Sequence, residues 1–365
     1  MKIYKAATIG LTLALIIGAW QGALAAGYRM KIEFPGYTNR TETLTNFPVL
    51  VVLSNNVDGS GFSFETTPFL STNGWDLRFR DSADTTDLNY EIEEWDTSGA
   101  SYVWVQAPEL PADGSGYIWA YWGEDDTQQA CTTNGAVWSE GYVAVWHLNE
   151  TSGTHIDATR NEHNGTIAGN VTQDAGGAID GGDTFDGNGD YINVGQITDM
   201  ENSSQVTVSG WIRLEGTSSS DSSYDGSILC KATGDACILL WYNAEGTAAD
   251  NTFTFNVGDT SGNNRIDADE NAGEAGQWQY VSGVMNGTYR GIYVDGSLRR
   301  FISNADTTSL GSDSADATIG HWSISDNFDH DGGLDELRVS TTTRSADWVW
   351  ADYMTVASNL VFSDY

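Results

Sequence analysis

Basic side chains are scarce in this chain: 16 lysines and arginines face 51 aspartates and glutamates, a formal net charge of −35. Only Lys31 and Lys231 are lysines beyond residue 25. A field of that sign repels nucleic acid and anionic membrane and disfavours both as partners. Anionic polysaccharide is a poor ligand too unless a cation bridges it, which leaves neutral glycan as the better-matched polymer. An acidic surface equally serves solubility alone. Cysteine is nearly absent, and the spacing of Cys131, Cys230 and Cys237 matches no zinc site. The five histidines, at 147, 155, 163, 321 and 330, form no His-x-His or His-Glu-x-x-His pair. No Gly-x-Ser-x-Gly elbow, phosphate loop or dinucleotide fingerprint occurs, so nucleophilic and nucleotide chemistry find no support.

Long apolar runs are missing after residue 25. The one such run, Ala6 to Trp20, follows Lys2 and Lys5 and precedes Ala23-Leu24-Ala25. That is the pattern of an export signal cleaved before Ala26; it is too short to span a bilayer comfortably. A retained anchor is the alternative, and no cysteine follows for a lipid anchor. Removing residues 1–25 deletes two lysines and no acid, taking the balance from −35 to −37. The expected location is outside the inner membrane: extracellular, on the cell surface, or periplasmic.

What is abundant is glycine, 41 residues, with many Thr, Ser, Asn and Asp, beside 40% hydrophobic and 12% aromatic residues. This composition builds a core and favours short strands joined by tight turns, an all-β fold. A length of 365 residues suggests two domains. Strands are expected at 28–37, 47–53, 76–80, 88–95, 102–107 and 117–122, the pattern of a sandwich. A polar stretch at 124–136 then links to a second series. That series opens at 141–148 and continues through 191–194, 206–214, 227–231, 237–242, 252–257, 278–285, 289–294, 298–302, 316–320 and 334–339. Asn286-Gly287 and Asp295-Gly296 are strong turn dipeptides. Only 345–354 reads as helix, with Ser345 as N-cap. The expected division is 1–25 export signal, 26–135 first β-sandwich and 136–365 second domain. Within the second, Ile228 to Leu240 reads as a hairpin turning at Thr233-Gly234, which sets Cys230 opposite Cys237 for a disulfide. Cys131 has no evident partner.

Residues 28–123 resemble a bacterial domain of unknown function found in secreted proteins and fused to biopolymer-transport components. The resemblance rests on Tyr28-Arg29, Asn46-Phe47-Pro48-Val49-Leu50, Asp76-Leu77-Arg78-Phe79, Tyr90-Glu91-Ile92-Glu93-Glu94-Trp95 and Tyr121-Trp122-Gly123. An aromatic residue often found before the Tyr-Arg pair is absent. Residues 141–354 resemble the laminin-G-like members of the concanavalin lectin/glucanase jelly rolls. The matching pieces are Ala144 to Glu150, Phe185-Asp186-Gly187, Asp190-Tyr191-Ile192, Val208 to Ile212, Trp278 to Val281, Ile292 to Gly296 and Gly333 to Arg338. This second resemblance implies a concanavalin-like jelly roll, and such folds host lectins, adhesins and hydrolases alike. It also places Glu150, Asp157, Asp186, Asp190 and Asp335 at positions from which a structural calcium ion would draw ligands; each serves equally as a turn-forming or exposed acid.

Other candidate chemistry is thinner. Glu91 and Glu93 alternate onto one face and echo the paired carboxylates of retaining glycosidases, yet a solvated strand face explains them better. Asp259 to Glu270 approaches a calcium-loop spacing, but Asn264 replaces the turn glycine, and Arg265–Asp269 reads as strand. Tyr117, Trp119 and Tyr121 share a face, though apolar neighbours suggest a strand buried on both sides. Trp241, Tyr242 and Trp322 are the candidates for a sugar-stacking platform, being near strand ends and loops. His147 alternates with Val143 and Val145 and reads as a satisfied core histidine. The leading expectation is a non-catalytic, exported carbohydrate-binding or adhesion protein. Its alternatives are an envelope structural module with a protein partner, and a glycoside hydrolase or polysaccharide lyase with an atypical site.

Overall fold

Alternating apolar residues and frequent turns close this chain into antiparallel sheets. The computed structural model describes residues 4–5, 27–215, 226–233, 236–243, 251–259, 262–269, 271–306, 308–312, 314–322 and 328–365. Apart from Tyr4 and Lys5, the expected export signal lies outside these residues. Two compact units form, Trp138–Ala357 and the remainder. The last residues, Ser358–Tyr365, belong to the first unit rather than the second. Backbone hydrogen bonds join Asp364 to Glu33, the Tyr365 hydroxyl accepts from Val52 N, and Asn359 donates to Leu50 O. No alternation signal in the sequence marks so short a return.

The first unit contains two sheets. One orders Tyr4–Lys5, Tyr28–Glu33, Tyr117–Trp122 and Arg78–Arg80; the other orders Leu44–Ser54, Ala100–Leu110 and Tyr90–Glu94. Met30, Ile32, Phe79, Ile118, Ala120 and Trp122 alternate as the buried face of the first sheet. The strand Tyr117–Trp122 is not buried on both faces as its composition suggested. Tyr117, Trp119 and Tyr121 are only half-buried. Lys31, Arg29 and Arg80 lie over their rings at 4.0, 4.6 and 5.3 Å. Cations on adjacent strands clad these aromatics in place of a second hydrophobic layer.

The second unit is a concanavalin-like jelly roll of two seven-stranded sheets. The first orders Asp183–Asp186, Asp331–Ser340, Gln205–Leu214, Trp278–Asn286, Tyr289–Val294 and Ser297–Ile302, with Tyr142–Trp146 also paired to Asp331–Ser340. The second orders Gly262–Asp267, Thr252–Asp259, Ala236–Asn243, Gly226–Thr233, Ala317–Ile319, Tyr191–Gly195 and Thr166–Ala168. Val206, Val208, Ile212, Val281 and Ile292 of one sheet share a core with Ile192, Ile228, Leu240, Phe253, Phe255 and Ile319 of the other. Each such side chain gains roughly 1.5–3 kcal/mol from burial. Asp295 and Gly296 both take positive φ, 50° and 69°, in the two-residue turn joining Val294 to Ser297.

Helix Ala346–Ala357 runs three residues beyond its expected end. The Ser345 hydroxyl accepts from Trp348 N at 3.1 Å, the expected cap. Val349 and Tyr353 of this helix pack on Trp211, Tyr280 and Tyr293, covering the outer face of the first sheet. The cysteine hairpin has a different register from the one expected. Cys230 lies opposite Leu239, and Cys237 opposite Ala232, because Thr233 pairs with Ala236, a register centred one residue later than expected. The directly opposed pairing is therefore not made; the Cys237 side chain lies outside the described residues.

Candidate functional site

The helix covers the outer face of the first sheet of the jelly roll, and the second sheet presents the opposite outer face. Strand parity sends Ile192 and Val194 into the core and turns Tyr191 and Asn193 outward. Edge strand Thr166–Ala168 extends this surface, with Thr166 opposite Asn193 and Ala168 opposite Tyr191. The preceding loop adds Glu162, His163 and Asn164, and Gln196 closes the other end. Together these residues line a groove of about 630 Å³.

The Tyr191 ring and the polar groups of His163, Asn164, Asn193 and Gln196 are held in place. The Tyr191 ring stacks on His321, with centroids 5.1 Å apart and planes 27° off parallel. His321 Nδ1 meets Asp329 Oδ1 at 2.5 Å, while Asp329 Oδ2 accepts from Gly189 N at 2.8 Å. Asn193 donates to Asp316 at 3.2 Å and accepts from Gly195 N at 2.8 Å. Gln196 donates to Ser314 O at 3.0 Å. Asn164 accepts from Asp157 N at 2.8 Å, and His163 Nε2 lies 3.2 Å from Asp199. The lining holds one carboxylate, Glu162, and no lysine or arginine. A tyrosine face beside several amides can cover sugar C–H surfaces while exchanging hydrogen bonds with hydroxyls.

The three predicted platform residues fare differently. Tyr242 turns into the inter-sheet core, where its hydroxyl donates to Asn251 at 3.0 Å; no ring face is left for a ligand. Trp241 does lie on the outer face, together with Trp322 and Cys230. It is only 7% exposed, and the Arg265 guanidinium covers its ring at 5.1 Å. Trp322 is partly exposed and packs edge-on to Phe328 at 4.6 Å. The groove residues Tyr191, Asn193 and Gln196 were missed. Their sequence signal was Asp190-Tyr191-Ile192, whose parity places one tyrosine outward beside an asparagine.

The five predicted calcium ligands do not form one shell. Among the described residues, no three of them bring carboxylate oxygens within 4.8 Å of one another. Each carboxylate instead organises backbone. Asp157 accepts from Val145 N, Thr159 N, Thr159 Oγ1 and His163 N. Asp190 takes Asn170 N and Asp186 N, Asp186 takes Asn188 N, and Asp335 takes Ala178 N and Ile179 N. Glu150 takes Ile156 N and also contacts His155 Nδ1 at 2.7 Å. The stretch Asp259 to Glu270, partly outside the described residues, holds a strand, Gly262–Asp267, paired with Thr252–Asp259.

Two buried charge clusters brace the jelly roll. His155 bridges Glu150 and Asp183, the latter at 2.9 Å. Burial opposes its protonation, but the hydrogen bonds to Asp183 and Glu150 outweigh it and raise its pKa to about 9. In the second cluster, Glu336 pairs with His147 and with Arg338, which also reaches Asp352. His147 is buried, with its Nδ1 on the Glu336 carboxylate. Burial works against ionisation of Glu336, and the facing charges of His147 and Arg338 override it to hold its pKa low. In the first unit, Glu93 sits at a register shift in its strand and accepts from Trp104 Nε1 at 2.5 Å. The shift interrupts the alternation on which a Glu91–Glu93 pair relied.

Two family models match parts of the chain. Residues 186–350 match the family described as the concanavalin A-like lectin/glucanases superfamily, Laminin_G_3. Residues 73–163 match a domain of unknown function, DUF2341. No curated protein matches the chain. Among solved structures, domain 4 of AbnA, a GH43 extracellular arabinanase from Geobacillus stearothermophilus in complex with arabinotriose, is 18% identical with a TM-score of 0.44. That similarity covers 57% of this chain and 96% of that one. The binding domain of botulinum neurotoxin serotype D/C is 12% identical, with a TM-score of 0.46, covering 59% of this chain and 52% of that one. The binding domain of Paraclostridial Mosquitocidal Protein 1 is also 12% identical, at 0.44, with 58% and 52% covered. The chain thus spans about half the length of these two toxin domains.

Proposed function

We propose that this chain is an exported, non-catalytic carbohydrate-binding or adhesion protein that takes a neutral glycan in the groove around Tyr191. The carrying observation is the composition of that groove. An outward tyrosine stacked on His321, the amides of Asn164, Asn193 and Gln196, and the absence of lysine and arginine suit a polyol rather than an anion. The strongly acidic chain points the same way, since it repels uronate and sulfate polymers at long range. A groove of about 630 Å³ lies in the usual range for small-ligand sites.

A ligand that binds only the folded state raises the melting temperature by mass action. Thermal unfolding against a broad panel of neutral and anionic oligosaccharides is therefore the first test. Stabilisation by at least one neutral class is the expected result. An unmoved transition across the whole panel, or a shift confined to anionic sugars, refutes the reading.

A further inference from the structure

A second cavity lies entirely within the first unit, beside the loop of residues 55–76. Its volume is about 590 Å³, and Phe64, Pro68, Phe69 and Leu70 line it together with the hydroxyls of Ser71, Thr72, Thr97 and Ser98. Asn55 and Glu65 complete the lining, which contains no cation. A surface loop rich in polar residues would ordinarily be floppy, but this one is stapled. Asn55 Oδ1 accepts from Phe64 N at 2.9 Å, and the Ser63 hydroxyl accepts from Glu65 N and Thr66 N. Asp76, 2% exposed, holds Leu70 N, Ser71 N and Gly123 N.

The aromatic wall is equally fixed. Phe69 meets Trp95 edge-on at 4.7 Å, and Phe64 does so at 5.7 Å. Gly74 lies flat against that indole, where an added Cβ would stand 2.8 Å from three ring atoms. The Trp95 Nε1–H is shielded from solvent and has no acceptor among the described residues. Leu70, by contrast, is 54% exposed at the rim. An ordered site combining ring edges, an exposed apolar rim and four hydroxyls is built for an amphipathic ligand, and the lone carboxylate disfavours an anionic one.

We propose that this cavity is a second saccharide subsite, on the unit whose family has no known function, and that it takes neutral pyranose residues. It stands independently of the Tyr191 groove. The test uses the full chain carrying Tyr191→Ala and Asn193→Ala, so that the two sites are read separately. Cellotriose, maltotriose, mannotriose and xylotriose are titrated by calorimetry, with trigalacturonate as the anionic contrast and an uncharged apolar peptide as the rival occupant. Hydrogen exchange maps protection. At least one neutral sugar should bind and protect the peptides spanning 64–72 and 95–99. Thr97→Trp, which fills the cavity from an exposed turn and so excludes the sugar, should weaken it about tenfold or more. Leu70→Asp, at the exposed rim, should weaken it as well, and the melting temperature of both variants should stay near that of the parent. No binding by any neutral sugar, preference for trigalacturonate or peptide, or binding unmoved by both substitutions overturns the proposal.

Discussion

His155 carries a charge where water does not reach, and its two carboxylate partners make that charge pH-sensitive. Its folded pKa, about 9, lies above the ordinary histidine value near 6.5. The bridge to Glu150 and Asp183 therefore contributes fully below about pH 6.5 and is lost as pH climbs through about 9. Denaturant unfolding from pH 6 to 10 should show stability falling across that window. His155→Gln should lower stability at pH 6 by about 3 kcal/mol, the cost of leaving buried carboxylates unpaired, and should flatten the slope. An unchanged slope in the variant would assign the pH dependence elsewhere. The acids at calcium-ligand positions supply a second residue-scale prediction. Since Asp157 and Asp190 spend both carboxylate oxygens on hydrogen bonds within the chain, a chelator should leave the melting temperature within about 2 °C, on the order of 1 kcal/mol for a unit of this size. A larger drop would show that these acids also serve an ion. Alternation in the sequence separates the faces of Trp241 and Tyr242 but not what covers them. The lid over Trp241 is Arg265, reached through the register of two further strands.

Elements were more legible than their contacts. The strand Gln205–Leu214, the turn at Asp295-Gly296 and the capped helix all follow local rules, and each formed where those rules place it. Ser345→Ala should destabilise the second unit by about 1 kcal/mol, the usual worth of such a cap, while Ser345→Asp should retain it. Equilibrium unfolding checks both; equal stability of all three proteins would mean the helix is held by packing on Trp211 and Tyr280 alone. The misplaced cysteine hairpin shows the limit of local reading. Moving a turn centre by one residue shifts the opposing partner by two, so Cys230 meets Leu239. The strand Tyr117–Trp122 failed differently: its composition is apolar on both faces, and only the neighbouring strands show that cations clad one of them.

For the whole molecule, charge dominates. A net −35 repels itself, and screening should relieve that strain. The melting temperature should rise between low ionic strength and 1 M sodium chloride, more than for a chain near neutrality; a fall would mean the surface ion pairs outweigh the repulsion. Two β-sandwiches, the second a jelly roll, were readable in advance because strand alternation and turn residues are repeated along the chain. The groove was not, because it is assembled from the edge strand Thr166–Ala168, the loop before it and the strand Tyr191–Gly195, distant in sequence and joined only by pairing.

The most direct measurement is a glycan array probed with the intact chain and with Tyr191→Ala, at moderate salt. The account predicts that neutral glycans are retained by the intact chain, that uronate and sulfated glycans are not, and that the substitution weakens retention without unfolding the protein. Retention of acidic glycans alone, or equal retention by the two proteins on every neutral glycan, would contradict it.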